Sequence, residues 1–115
     1  RALILQPDRK DPYVNSLRKH MRDGSRKYFL DRLLCASVIE ARGAERFALV
    51  ADNVEDPDLQ SFYSVLAKSE ANHHHLFVEL ANHYFDDDEV VTRFDEWAEI
   101  EQQVLKDLPI HARLH

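Results

Sequence analysis

From Leu30 to Tyr84 the chain keeps one pattern that leaves little choice of fold: residues suited to a buried face recur every three or four positions on either side of a short polar break. Before the break they are Leu30, Leu33, Ser37, Glu40, Ala44, Phe47 and Ala51; after it, Leu59, Phe62, Leu66, Glu70, His73, Phe77, Leu80 and Tyr84. That spacing is the period of an α-helix and does not fit the two-residue alternation of a strand. In the break, Asp52-Asn53-Val54-Glu55-Asp56-Pro57-Asp58, Asp56 can cap a helix whose first position Pro57 occupies. Two helices joined this way fold back as an antiparallel hairpin, which the pattern predicts over residues 26–85.

Asp11-Pro12 repeats the capping signature and opens a short helix with Tyr13, Leu17, His20 and Met21 on one side, stopped by Asp23-Gly24. The acidic run Asp86-Asp87-Asp88-Glu89 suits the positive end of a helix dipole and begins a last helix over 88–108, with Val90, Phe94, Trp97, Glu101, Val104 and Leu108 on its stripe and Pro109 closing it. Composition agrees with an all-α fold in a single unit over 1–115. Two glycines provide neither a phosphate-cradling loop nor a Rossmann turn, and a 44 % apolar share is too high for a disordered chain. Cys35 is the sole cysteine, which excludes a disulfide framework and a cysteine-based zinc cluster and leaves it as a small core residue. No apolar run reaches the roughly 20 residues that span a bilayer and no secretory segment opens the chain, so a cytoplasmic protein without a membrane partner is expected.

Charge is unevenly spread. Residues 1–32 carry nine basic and four acidic residues; the remainder carries six and seventeen, for a net charge of −6. The basic leader, residues 1–28, is a candidate footprint for a polyanion, with Arg18, Lys19, Arg22, Arg26 and Lys27 as its rim, or else an ordinary solvated helix face.

Three ionisable residues interrupt the hairpin's apolar stripes: Glu40, Glu70 and His73. A buried carboxylate without a partner is costly, so something must compensate them. Glu40 and Glu70 each lie 15 residues from Glu55 at the centre of the break, which puts both at one height, about 22 Å from the turn at 1.5 Å per residue. His73, three residues past Glu70, shares its face. One carboxylate plus a Glu-x-x-His pair is half of a carboxylate-bridged di-metal site, and such oxygen and imidazole donors suit iron or manganese. A buried network is the alternative, with a glutamate pairing to Arg42 or Arg46 and the histidine to a backbone carbonyl. Arg42 and Glu45 are candidates for holding the ligands by hydrogen bonds. His74 and His75 point elsewhere on the helix and read as a solvated flank, and Glu101 as a buried carboxylate or a tolerated edge residue. Trp97 and the phenylalanines read as core.

Four strings go further: Phe29-Leu30-Asp31-Arg32-Leu33-Leu34; Ile39-Glu40-Ala41-Arg42-Gly43-Ala44-Glu45-Arg46-Phe47-Ala48; Asp58-Leu59-Gln60-Ser61-Phe62-Tyr63; and Ser69-Glu70-Ala71-Asn72-His73-His74. Together they resemble the tRNA 2-methylthio-isopentenyl-adenosine hydroxylases (MiaE-type), ferritin-like non-haem di-iron monooxygenases, over nearly the whole chain. The resemblance implies a ferritin-like helical bundle in which Glu40, Glu70 and His73 are metal ligands of a centre of two iron ions, with dioxygen and an external reductant as co-substrates. Where the family usually has arginine before the ligand histidine, this chain has Asn72, which points away from the seam.

The implied reaction is hydroxylation of the isopentenyl group of a modified adenosine in tRNA, with tRNA as substrate, an electron-donor protein or reductase as partner, and Phe47, Leu66 and Phe77 lining a dry cavity for the prenyl tail. The family's domain has an earlier helix pair that supplies another Glu and another Glu-x-x-His, and residues 1–28 hold no counterpart. The chain, which opens on Arg1, therefore resembles the C-terminal half of such an enzyme, to be completed by an N-terminal half or by a second copy about a two-fold axis. A ferritin-like module without catalysis, serving a structural, metal-storage or RNA-binding role, is the alternative reading.

Overall fold

The computed structural model describes residues 11–109, which form four helices: α1 (Pro12–Arg18), α2 (Ser25–Asn53), α3 (Pro57–Tyr84) and α4 (Asp87–Asp107). Of the leader, Arg1, Arg9 and Lys10 lie outside the described residues. The boundaries follow local chemistry. Asp11 accepts hydrogen bonds from the backbone N–H groups of Tyr13 (3.0 Å) and Val14 (3.3 Å), and Asp56 from that of Asp58 (2.8 Å), each ahead of a proline that needs no partner for its nitrogen. Gly24 precedes α2 at φ 96°, a conformation that a side chain would strain. One expectation needs correcting: α1 stops at Arg18, so His20 and Met21 follow the helix instead of continuing it, although Met21 still packs on the core.

α2 and α3 lie along each other as the hairpin and set the 47 Å long axis of the molecule. α4 packs mainly on α2 and α1, so the core gathers on one side of α2: Tyr13, Val14 and Leu17 of α1, Leu30, Leu33, Leu34, Cys35 and Val38 of α2, and Val90, Trp97 and Val104 of α4. Burial raises the Cys35 thiol to a pKa of about 11, in keeping with a packing role.

Asp31, fully buried in this core, ties its elements together. It accepts from the backbone N–H and guanidinium of Arg22, from the guanidinium of Arg93 and from the indole N–H of Trp97 at 2.7–3.2 Å. Burial alone would raise its pKa, but the hydrogen bonds from Arg93, Arg22 and Trp97 prevail and hold it at about 2.

The other side of the hairpin differs from expectation. In α3 only Ala81 is buried, while Leu59, Phe62, Leu80 and Tyr84 of the predicted core stripe are exposed. Two helices bury only the seam between them, and the breadth of this stripe exceeds one seam.

Candidate metal centre

The two helices of the hairpin bring Glu40, Glu70 and His73 together on that open side, with one ligand atom from each lying within 4.8 Å of the others. His73 Nδ1 is 3.5 Å from Glu40 Oε1; its side chain is 50 % exposed and that of Glu40 24 %. The donors are therefore accessible from outside the chain. Among the described residues this is the single cluster of three or more His, Cys, Asp or Glu side chains that could hold a metal ion.

Two features that the sequence does not single out shape the site. Gly43, one turn past Glu40, leaves the space where the Glu70 carboxylate rests: a Cβ there would be 3.0 Å from Glu70 Oε2. Its signal was a glycine inside a helix that needs none. The second is Ser37 with His74. His74 Nδ1 lies 3.0 Å from the Ser37 carbonyl oxygen and 2.6 Å from its Oγ, while the Ser37 hydroxyl donates to the His74 carbonyl at 3.2 Å. A carbonyl only accepts, so Nδ1 carries the proton. His74 is thus half-buried and joins α2 to α3 beside the donors, which corrects its reading as solvated flank; His75 is exposed.

The expected supporting residues lie elsewhere. Arg42 turns toward α4, where its Nε donates to Glu101 at 3.2 Å, and Glu101 also accepts from the Tyr13 hydroxyl. Residues two apart on a helix face apart, which explains why Arg42 leaves the side that Glu40 occupies. Glu45 is exposed. Of the basic rim, Arg22 is engaged with Asp31, and Arg26 forms a two-pronged pair with Glu89 at 2.6 Å; Arg18, Lys19 and Lys27 are exposed. Phe47 is buried and stacked on Tyr63, and Leu66 and Phe77 are half-buried. A groove of about 380 Å³ lies between α3 and α4 instead, lined by residues such as His74, Val78, Val90 and Phe94.

The model of the family tRNA-(MS[2]IO[6]A)-hydroxylase (MiaE) matches residues 1–115. The chain belongs to the MiaE family. Two curated relatives are named tRNA 2-(methylsulfanyl)-N(6)-isopentenyladenosine(37) hydroxylase. That of Pseudomonas putida is 34 % identical over 90 residues, covering 78 % of this chain and 43 % of the relative. That of Salmonella typhimurium is 33 % identical over 103 residues, covering 90 % and 37 %. This MiaE-family chain thus spans about two fifths of the length of the curated relatives it matches. A solved structure, protein 43 with aldehyde deformylating oxygenase activity from Synechococcus, superposes with a TM-score of 0.81 at 33 % identity, covering 96 % of this chain and 55 % of that one. The fold is therefore a ferritin-like, all-α one.

Proposed function

We propose that this chain contributes Glu40, Glu70 and His73 as one half of a di-iron centre that hydroxylates the isopentenyl group of a modified adenosine in tRNA. The observation that carries the reading is the convergence of these three donors from two helices in a chain of this family. The donor set fits: two carboxylates and an imidazole, without thiolate, suit iron or manganese. A complete site of this kind takes four carboxylates and two histidines, so the remaining donors would come from helices beyond this hairpin. Leu59, Phe62, Leu80 and Tyr84, exposed on the same helix as Glu70 and His73, form the apolar surface such helices would cover. An N-terminal half or a second copy would serve.

When bound, the iron pair supplies the redox chemistry that activates dioxygen, with electrons from an external donor protein or reductase. The chain's own residues hold it. Glu40 and Glu70 provide anionic oxygens from opposite helices, and His73 a ring nitrogen. Ser37 and His74 fix the rotation of α3 on α2, so that the donors meet. Leu66 and Phe77, one turn before Glu70 and one turn after His73, are half-buried on the same stripe and offer apolar contact to a prenyl tail. Arg18, Lys19 and Lys27 provide a basic rim for the tRNA backbone.

Metal analysis and activity on modified tRNA, with iron, dioxygen and a reductant present, test the reading. Iron that is retained by the wild-type chain and lost in His73→Ala and Glu40→Gln is the expected result. A metal-free chain whose stability and RNA binding are unchanged in both variants would instead favour the non-catalytic module.

A further inference from the structure

Gly43 stands in the middle of α2, where glycine lowers helix stability relative to alanine. Its backbone gives no reason for it, because Gly24 is the one glycine with positive φ among the described residues. Space does. Gly43 is buried, lies one turn past Glu40, and faces Glu70 across the hairpin: an added Cβ would sit 3.0 Å from Glu70 Oε2 and 3.7 Å from its Cδ and Cγ. The first distance is crowded and the other two are ordinary contact.

We propose that Gly43 is a positioning residue for metal binding: its missing side chain leaves a notch in α2 in which the Glu70 carboxylate settles, level with Glu40 and His73. The inference rests on the reading of those three residues as ligands. Crowding at the notch would fall on the end of a flexible side chain and not on backbone, so a metal-free protein with a methyl group there adapts by swinging the carboxylate aside. A bound metal has no such latitude, since ligand distances hold to within about 0.2 Å. A Gly43→Ala substitution therefore separates two properties that a packing glycine would lose together.

The test titrates the full chain with Co(II), followed by calorimetry and visible absorption, for wild type, Gly43→Ala and His73→Ala, alongside thermal melts of each metal-free protein. Gly43→Ala is expected to bind about tenfold more weakly or worse, with an altered Co(II) spectrum, as when a group that orients a ligand is lost. Its metal-free melting temperature should equal or exceed that of wild type, because alanine is the better helix former. Wild-type Co(II) affinity and spectrum in Gly43→Ala would overturn the proposal, as would a fall in melting temperature alongside the affinity, which would assign Gly43 to helix packing. A wild-type chain that binds no Co(II), or His73→Ala binding as well as wild type, would reject the metal reading and the notch with it.

Discussion

Asp31→Asn tests most directly how this fold is held together. Wild-type Asp31 titrates at about 2 in place of 3.8, and at 1.36 kcal/mol per unit that difference is worth roughly 2 kcal/mol of stability. Because the folded-state value is the lower one, this stability is fully present above the unfolded value near 4 and is lost as pH falls toward 2. Asparagine keeps the shape but removes the charge, leaving Arg93 (side chain 11 % exposed) and Arg22 (32 % exposed) facing a neutral amide whose N–H₂ opposes their own donors. Breaking a buried pair costs roughly 3–5 kcal/mol; the partial solvation of Arg22 favours the lower end, about 3 kcal/mol. With a urea dependence of about 1 kcal/mol per molar for a chain of this size, the unfolding midpoint at pH 7 should drop by about 3 M. Urea melts of both proteins between pH 7 and pH 2 check this by circular dichroism. The gap between them should shrink by roughly 2 kcal/mol across the acid range. A loss under about 1 kcal/mol at pH 7, or a gap that does not change with pH, would refute the assignment of Asp31 as the ionised hub of the core.

Tyr13 donates to Glu101 from a buried position, and burial, followed by the neighbouring carboxylate, pushes its pKa well above the ordinary phenol value. Ultraviolet titration of wild type against Tyr13→Phe should therefore find no phenolate from Tyr13 at about pH 11, and the substitution should cost about 1 kcal/mol in urea melts; a Tyr13 phenolate forming near pH 10 would contradict the buried hydrogen bond. On the proposal that Arg18, Lys19 and Lys27 form a rim for tRNA, Lys27→Ala should weaken tRNA binding and flatten its salt dependence by about one unit of slope, whereas Arg26→Ala, whose guanidinium is paired with Glu89, should change both less. Equal effects in gel-shift titrations across a salt series would argue against that distinction.

What could be read from the chain alone was whatever depends on near neighbours. Asp11-Pro12 and Asp56-Pro57 mark helix starts because a capping carboxylate acts over two or three residues, and the observed helices Pro12–Arg18 and Pro57–Tyr84 begin there. The shared height of Glu40 and Glu70 was legible for a related reason: in an antiparallel hairpin, equal distance from the turn is equal height. What escaped was partner choice across long separations. Asp31 resembles any helical aspartate until Arg93 and Trp97, 62 and 66 residues later, are laid against it. Arg42 pairs with Glu101, 59 residues away, because of how α4 crosses α2.

The sequence by itself therefore determined the helices, their order and the level at which Glu40, Glu70 and His73 lie, since backbone periodicity and capping are local. Only the tertiary structure decided the rest. The rotation of α2 against α3 sets which side chains face one another, seating His74 on Ser37 and the Glu70 carboxylate over Gly43. The packing of α1 and α4 on the far side of α2 leaves the donors and the apolar stripe of α3 accessible. Burial belongs to the assembled surfaces and not to any one helix, which is why a stripe with the period of a core is exposed in this chain.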